Sequence, residues 1–468
     1  MVAKPSTIYC CNECGTVQGK WHGQCPGCGE WNTLVEERPI EPVAGGGRSA
    51  GSKAKAVAPV KLSDVVGAPV ERIATGIGEF DRVLGGGIVP GSLILLGGAP
   101  GIGKSTLTGM AAGNLAATSN SVLYVSGEES AEQIKLRAAR IGAGALMVPV
   151  IAETDLDTIL ATIDRERPDV CVIDSVQTMH CSDLTGAPGS VGQVREVAGR
   201  LMQLAKRRRI AVLLVGHVTK EGSLAGPRVL EHLVDCVIQF EGEPERAYRT
   251  LRAIKNRFGS TNEVGVFEMA DSGLVEIADA SARFVGEATG SAGSVILCAM
   301  EGSRPLLVEL QALVTPSEMT PPRRVANGVD RNRLALVLAV LARHAGVALG
   351  SCDVFVSAVG GIRVDEPAAD LAIALALVSA SRGVPLGDQR LPLACFGEIG
   401  LTGEIRQVPH SDRRLAEAAK FGLHDAVTPA VGDQIGNNSA ATLRTAIKIA
   451  FGMQSDSIDY AKVQPVTI

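Results

Sequence analysis

The chain has 468 residues, enough for two or three domains of ordinary size, and its apolar fraction of 46% excludes disorder as the general state. Its net charge of −5, from 45 basic and 50 acidic side chains, excludes a uniformly basic, histone-like protein. The longest apolar stretches, Leu334–Ala342 and Leu371–Ala380, are about half the ~20 residues that a membrane span requires, and cysteines stand where a secretory signal would have its apolar core. We therefore expect a soluble, cytoplasmic protein without a membrane segment.

Two CxxC pairs stand near the N-terminus. Cys11 and Cys14 form the first pair, Cys25 and Cys28 form the second, and ten residues separate the pairs. Each pair can form a tight turn whose thiolates point at one tetrahedral ion. We predict a closed, structural Zn²⁺ site in a ribbon over residues 8–35, with a redox dithiol as the alternative.

The ribbon also contains both tryptophans of the chain, Trp21 and Trp31. A unit this small has little core of its own, so we expect them to pack beside the metal site. The cysteine spacing leaves open whether the ribbon binds nucleic acid, protein or neither. Residues 36–60 contain no aromatic residue and are rich in Pro, Gly, Ala and Ser, which indicates a flexible linker.

Residues 61–280 alternate short apolar runs with helix-like stretches, which is typical of β-α-β units and a parallel sheet. The runs are apolar throughout, as expected for strands that are buried on both faces. The clearest predicted strands are Ser92–Leu96, Val122–Ser126, Val170–Ile173 and Ala211–Val215. We therefore predict an α/β domain here.

A phosphate-binding loop follows the first of these strands. The segment fits the pattern GxxxxGK[ST] and opens a helix-like stretch, so backbone N–H groups and the helix N-terminus can cradle phosphates. Lys104 can reach the β- and γ-phosphates of ATP, and the Ser105 hydroxyl can bind Mg²⁺. The predicted ATP-contacting residues are Gly98, Ala99, Pro100, Gly101, Ile102, Gly103, Lys104, Ser105 and Thr106.

Polar residues follow three further strands. Asp174 ends an apolar strand in the manner of a Walker B acid, which holds Mg²⁺ through water. Glu128 is our first candidate for the group that orients and deprotonates the attacking water, and Glu129 is the second. The alternative is that both glutamates are first-turn acids of the next helix. His217 ends another strand, where it either senses the γ-phosphate or is a plain strand-end residue.

Two long polar loops leave the predicted sheet on the same side, at about 176–192 and 218–230. The second loop carries Lys220 and Arg228. Loops of this length beside an ATPase site are more often functional than not.

The motifs together resemble one known family. The four-cysteine ribbon, GAPGIGKST, YVSGEES, VIDSVQT, GHVTKEG and KNRFG (Lys255–Gly259) occur in the order found in the RadA (Sms) family of bacterial DNA repair proteins. The resemblance spans the chain and implies a RecA-like P-loop core in a homo-hexameric, DNA-dependent ATPase. It implies ATP, Mg²⁺ and Zn²⁺ as cofactors. The implied partners are single-stranded DNA, recombination intermediates and a recombinase or replicative helicase.

The resemblance also implies residue roles. It gives the Mg²⁺-holding acid as Asp174, the water-activating acid as Glu128 and the γ-phosphate sensor as His217. The loops after Asp174 and His217 take the positions of the DNA-contacting loops of RecA-like folds. Lys220 and Arg228 are therefore the candidate DNA-contacting residues.

KNRFG is the most specific of these motifs. The resemblance implies that Lys255 and Arg257 act on the γ-phosphate of a neighbouring subunit, or couple the ATP state to DNA. Two cations that flank Asn256, with a following Phe-Gly turn, fit such a finger. Without the resemblance, a solvated basic turn is an equal alternative.

Residues 285–468 resemble the Lon-type peptidase domain, an α+β fold. Ala368 stands where that fold carries its nucleophilic Ser, and Asp412–Arg414 follow the stretch that leads to its catalytic Lys. No lysine lies between Lys255 and Lys420, and Arg cannot be the base because it stays charged. We expect a non-proteolytic scaffold. Its candidate phosphate contacts are Arg323, Arg324, Arg331, Arg333 and Arg363.

The leading interpretation is a DNA-dependent ATPase motor of recombinational repair, which moves on single-stranded DNA and promotes branch migration. The alternative is a RecA-type or clock-type signalling ATPase, or a protein-remodelling ATPase, that DNA does not drive. An ATP-dependent protease is disfavoured by the missing Ser–Lys dyad. A non-catalytic adaptor is disfavoured by the presence of Lys104, Glu128 and Asp174. Ring size, direction of movement and the partner of the ribbon stay open.

Overall fold

The chain forms two compact units, one of Met1–Pro244 with Arg249–Glu276 and one of Glu245–Tyr248 with Ile277–Ile468. Among the described residues, no helix is long and apolar enough to cross a membrane. From residue 38 onward, the predicted linker at 36–60 lies outside the described residues. The computed structural model describes residues 8–11, 14, 16–31, 33–37, 61, 71–184, 186–216, 229–242, 248–270, 273–361, 363–387, 392–430 and 438–452.

The N-terminal ribbon consists of β1 (Ile8–Cys11), β2 (Val17–Gln18) and β3 (Leu34–Glu37). β1 lies in the middle and pairs antiparallel with both other strands. The small interior of the ribbon is filled by Cys11, Cys25 and Leu34.

The first unit is built on a nine-stranded sheet. The strands are β4 (Leu93–Gly98), β5 (Val122–Ser126), β6 (Val150–Ala152), β7 (Val170–Asp174), β8 (Ala211–Val215), β9 (Cys236–Glu241), β10 (Tyr248–Asn256), β11 (Val264–Ala270) and β12 (Gly273–Glu276). The helices are α1 (Gly78–Leu84), α2 (Lys104–Ala116), α3 (Ala131–Ile141), α4 (Ala143–Leu146), α5 (Leu156–Glu166), α6 (Val191–Arg208) and α7 (Val229–Leu233).

Parallel pairing dominates this sheet. In space the strands run β12-β11-β10-β9-β4-β8-β7-β5-β6, and those from β9 to β6 are parallel. β10 is antiparallel to β9, and β12 is antiparallel to β11. The predicted α/β class is confirmed. The first predicted strand, Ser92–Leu96, is observed one residue later at its start and two residues longer at its end.

Alternate residues of β4 face two separate cores. Ile94 and Leu96 pack in a cluster that includes buried residues of α1 and α2, whereas Leu93 and Leu95 pack with buried residues of α5 and α6. Burial on both faces explains why the strands are apolar at every position. Because parallel strands end at the same edge of a sheet, the residues after β4, β7 and β5 lie along one edge, with the end of β8 between those of β4 and β7.

The second unit holds a five-stranded sheet in the order β15-β16-β14-β13-β17. Helix α10 of this unit is buried from Ala369 to Ser379, as its all-round apolar sequence requires. The strands are β13 (Ser294–Glu301), β14 (Arg304–Pro316), β15 (Arg324–Asn327), β16 (Cys352–Ala358), β17 (Ala394–Cys395), β18 (Glu398–Ile399), β19 (Ile405–Arg406), β20 (Thr428–Pro429) and β21 (Ser439–Ala440). The helices are α8 (Ala280–Gly286), α9 (Arg331–Val340, continued by a π-helical turn, Leu341–Ala345), α10 (Ala369–Arg382), α11 (Ser411–Lys420) and α12 (Leu443–Gly452).

A buried ion pair lies inside the second unit. The Arg414 guanidinium contacts both carboxylate oxygens of Glu366, at 2.9 and 2.6 Å. It also donates to the carbonyl oxygens of Cys298 at 2.7 Å and Pro409 at 3.1 Å, and it lies 5.5 Å from the Phe396 ring centroid. The side chain of Arg414 is only 1% exposed, so its charge depends on these partners.

We predict that Arg414→Leu destabilises the protein by about 3 kcal/mol, because it leaves Glu366 without its cationic partner in a largely buried site. The measurement is urea unfolding of the full chain followed by circular dichroism. The neighbouring Arg413 is exposed, so Arg413→Leu is the matched control and should change the stability by less than about 1 kcal/mol. Equal effects of the two substitutions would contradict the prediction.

Candidate functional site

Four cysteine thiols converge in the ribbon. The Sγ atoms of Cys11, Cys14, Cys25 and Cys28 all lie within 4.8 Å of one another. The Sγ–Sγ distance is 3.7 Å for Cys11 and Cys28 and 3.6 Å for Cys14 and Cys25. Thiolates ~2.3 Å from one tetrahedral Zn²⁺ are ~3.8 Å apart, so this donor set fits zinc. The four thiols fit the predicted zinc site, and as four protein ligands they would make it a closed, structural site.

The prediction that the tryptophans pack beside the thiols is wrong. Trp21 is 56% exposed and Trp31 is 66% exposed. Both indole rings lie close to Gly23. A Cβ at this glycine would lie 3.8 Å from the Trp21 ring and 3.5 Å from the Trp31 ring. The buried interior of the ribbon consists of Cys11, Cys25 and Leu34, and neither tryptophan belongs to it.

The phosphate loop connects β4 to α2. Helix α2 begins at Lys104, and Gly103 before it has a φ of 113°, which glycine adopts without strain. A Cβ at Gly98 would lie 2.7 Å from the carbonyl oxygen of Phe240, and one at Gly103 would lie 2.9 Å from Cε of Met269. No side chain caps the start of α2, which leaves its first N–H groups for an anion.

The side chain of Lys104 lies inside this loop. Its Nζ donates to the carbonyl oxygens of Gly98 at 2.8 Å and Ala99 at 2.9 Å. Burial lowers the pKa of Lys104, and the carboxylates of Asp174 and Glu128 offset part of that shift. Both carboxylates are therefore within electrostatic reach of the ammonium group.

Asp174 ends β7 and is 5% exposed. Its Oδ2 accepts a hydrogen bond from the hydroxyl of Tyr124 at 2.5 Å. Its backbone carbonyl accepts from the N–H of Gly127 at 2.8 Å, which ties the end of β7 to the residue before Glu128.

The adjacent glutamates bind different partners. The Ser175 hydroxyl donates to Oε1 of Glu128, directly beside Asp174. Glu129 forms an ion pair with Arg137 of α3. Only Glu128 is therefore held next to the phosphate loop and Asp174.

The start of α3 excludes the view that both glutamates are ordinary first-turn acids. Ser130 is the N-cap of this helix, with a capping box, and the acid of its first turn is Glu132. Glu128 and Glu129 precede the helix, in the turn that leaves β5.

The first predicted loop, 176–192, is more closely packed than its polar composition suggests. Met179 and Cys181 are buried, and α6 begins at Val191. The side chain of Gln193 accepts from the backbone N–H of Cys181 at 2.7 Å and donates to three carbonyl oxygens of the loop. These contacts hold the loop against the core and leave a shorter exposed stretch.

The second predicted loop, 218–230, directly follows His217. His217, Lys220 and Arg228 lie outside the described residues. The next described element is α7. The Nζ of Lys255 donates to the carbonyl oxygens of Glu231 at 2.7 Å and of Val234 at 2.8 Å, at the end of that helix.

The rest of the KNRFG motif is also engaged within its own chain. The Asn256 side chain donates to the carbonyl oxygens of Val83 and Leu84, each at 3.3 Å, at the end of α1. Arg257 pairs with Asp235 at 2.9 Å, and its side chain stays 51% exposed. The alternative of a simply solvated turn is therefore wrong.

Most of the candidate phosphate-contacting arginines of the second unit have partners in that unit. Arg333 contacts both carboxylate oxygens of the buried Asp370, at 2.8 and 2.6 Å. Ala368, which we expected at the position of a Lon-type nucleophile, is 1% exposed and directly precedes α10. The remaining pairings are Arg323 with Asp353, Arg363 with Asp365, and Arg324 with backbone carbonyls.

Three residues of the nucleotide site were missed in the sequence analysis: Tyr124, Arg137 and Ser175. Ser175 could have been found from its position directly after Asp174. Tyr124 could have been found because its hydroxyl lies in an otherwise aliphatic strand. Arg137 had no local signal, because its contact depends on how α3 packs against β5.

A phosphate loop after one parallel strand, with carboxylates after two neighbouring strands, defines a RecA-like P-loop ATPase, here with a zinc ribbon. A family model described as an AAA domain matches residues 58–223, and one described as a rubredoxin metal binding domain matches residues 9–36. The chain belongs to the RadA family of DNA repair proteins, as its curated relatives establish.

The DNA repair protein RadA of Bacillus subtilis (strain 168) is 48% identical over 433 residues, covering 92% of this chain and 93% of that protein. The protein of that name from Streptococcus pyogenes serotype M1 is 50% identical over 430 residues, covering 92% and 93%. A solved KaiC-like protein from Pyrococcus horikoshii OT3 aligns with 45% of this chain and 100% of its own. That match has 21% identity and a TM-score of 0.38, too low to support an argument.

We predict that Cys25→Ser releases the zinc, because three thiolates cannot complete the closed tetrahedral site. The measurement is the zinc content of purified protein, expected to fall from about one ion per chain to a small fraction of that. Cys352→Ser is the matched control, since Cys352 is a buried cysteine outside the cluster. Full zinc content in Cys25→Ser would contradict the assignment.

Proposed function

We propose that this ATPase is a DNA-dependent motor of recombinational repair, which moves on single-stranded DNA and promotes branch migration of recombination intermediates. The observation that carries the proposal is the cluster at the edge of the parallel sheet, where Lys104 lies within reach of Asp174 and Glu128. Relatives named as DNA repair proteins support the biological setting.

In the proposed site, ATP is bound by the loop Gly98–Ser105 and the first turn of α2. Lys104 exchanges its contacts with the loop carbonyls for contacts with the β- and γ-phosphates. The Ser105 hydroxyl and the Asp174 carboxylate are the oxygen donors that suit Mg²⁺, which would neutralise charge on the phosphates.

Glu128 is the proposed base. Its contact with the Ser175 hydroxyl holds the carboxylate beside Asp174, where it would orient the attacking water and take its proton. The ion pair of Glu129 with Arg137 supports this choice, because a carboxylate engaged in that way is a poorer proton acceptor.

The proposed DNA-contacting loops are those after Asp174 and His217, with Lys220 and Arg228 as phosphate contacts. The contact of Lys255 with the end of α7 supports a coupling role, since α7 follows the second loop directly. We infer that a displacement of that loop reaches β10 through this contact.

We also infer a homo-hexameric ring. Arg257 is the residue proposed to act on the nucleotide of an adjacent subunit, and its side chain is 51% exposed while it pairs with Asp235. The second unit is the proposed scaffold of the ring and not a peptidase, because Ala368 has no nucleophilic atom. A recombinase or replicative helicase is the proposed protein partner, and the zinc ribbon is one candidate surface for it.

The first prediction concerns ATP hydrolysis with and without single-stranded DNA at low and high salt. We expect stimulation by DNA that is lost at high salt, because phosphate contacts release counterions. Lys104→Ala should abolish turnover, and Glu128→Gln should bind ATP but hydrolyse it about 10²–10⁴-fold more slowly. Turnover indifferent to DNA would refute the motor and favour a signalling or protein-remodelling ATPase.

The second prediction concerns the KNRFG motif. Lys255→Ala should keep nucleotide affinity and lose most of the DNA-stimulated rate, because the end of α7 loses its cationic partner. The measurement compares ATP binding with stimulated turnover in one preparation. The exposed Lys135→Ala is the matched control and should behave like the parent. Unchanged stimulation in Lys255→Ala would remove its coupling role.

A further inference from the structure

A continuous line of polar contacts runs from the start of α3 to the end of β7. Glu129 pairs with Arg137, and Nη2 of Arg137 donates to the Tyr124 hydroxyl at 3.1 Å. That hydroxyl donates to Oδ2 of Asp174 at 2.5 Å. The line therefore ends on the carboxylate proposed above to hold Mg²⁺.

The direction of each hydrogen bond in this line is fixed by chemistry. A guanidinium can donate but cannot accept, so Arg137 must use a lone pair of the Tyr124 oxygen. The phenolic proton then has one acceptor in this line, the Asp174 carboxylate. Among the described residues, the hydrogen bonds to the side chain of Asp174 reach Oδ2 alone.

Burial keeps this arrangement in place. Tyr124 is 2% exposed, and the Arg137 side chain is 13% exposed with its guanidinium carbon 5.8 Å from the Tyr124 ring centroid.

We propose that Tyr124 and Arg137 are positioning residues for the metal-holding carboxylate Asp174, and that Glu129 anchors them from the entrance to α3. The inference rests on the proposed function, since it assumes that Asp174 holds Mg²⁺. It gives the two adjacent glutamates separate tasks. Glu128 acts on water, and Glu129 acts on the metal-holding acid through Arg137 and Tyr124.

The test is a Mg²⁺ titration of ATP hydrolysis at saturating ATP. Tyr124→Phe keeps the buried ring and removes only the hydroxyl. We expect the half-saturating Mg²⁺ concentration to rise about tenfold, because one hydrogen bond to a charged group is lost, while the KM for ATP at saturating Mg²⁺ stays unchanged. Tyr248→Phe is the matched control, since Tyr248 accepts from Arg283 in the second unit, and it should leave the Mg²⁺ dependence unchanged.

Arg137→Gln should shift the Mg²⁺ dependence in the same direction by a smaller factor, and the double variant Tyr124→Phe/Arg137→Gln should be no worse than Tyr124→Phe alone. A merely structural role would lower stability without this change in Mg²⁺ dependence. The proposal would be overturned if Tyr124→Phe had the Mg²⁺ dependence of the parent protein. It would also be overturned if the two substitutions had additive effects on the Mg²⁺ dependence in the double variant.

Asp174→Asn in the same assay separates this inference from the proposed function. If Asp174→Asn abolishes turnover and Tyr124→Phe has the same Mg²⁺ dependence as the parent protein, the positioning role alone is wrong. If Asp174→Asn itself has the same Mg²⁺ dependence as the parent protein, the assignment of the metal-holding acid is wrong, and the positioning role is overturned with it.

Discussion

The parallel pairing of β4, β8, β7 and β5 is the constraint on which the candidate nucleotide site depends. It brings the carboxyl ends of strands that are far apart in sequence to one edge of a sheet. Lys104, Glu128 and Asp174 meet there only because each follows a strand of the same direction. The hydrophobic cores on both faces fix the sheet, and the sheet fixes the site.

The charges at this edge are arranged so that each has an opposite or polar partner. Lys104 lies against loop carbonyls and within reach of two carboxylates, and Glu129 is paired with Arg137. Such pairing is required because burial of an unpartnered charge is costly. Phosphates that enter the loop can replace the carbonyls as partners of Lys104, which is how a preorganised site binds an anion with little rearrangement.

Local pattern was enough to predict the sheet class, the phosphate loop, the acids after β5 and β7, and the zinc cluster. Each of these depends on spacing within one segment or on a run of apolar residues. The contacts that pattern did not reveal join distant segments: Arg137 with Tyr124, and Lys255 with the end of α7. They depend on how helices pack on the sheet, which no single segment encodes. The tryptophans were misplaced because the size of the ribbon interior follows from its fold and not from its composition.

The exposed position of Trp21 and Trp31 has an optical consequence. These are the only tryptophans in the chain, and both lie on the zinc ribbon. The indole emission of the native protein therefore comes entirely from the ribbon, and the ATPase core contributes none. Any quenching or wavelength shift of that emission during turnover would report on the ribbon alone, without a dye or an engineered label.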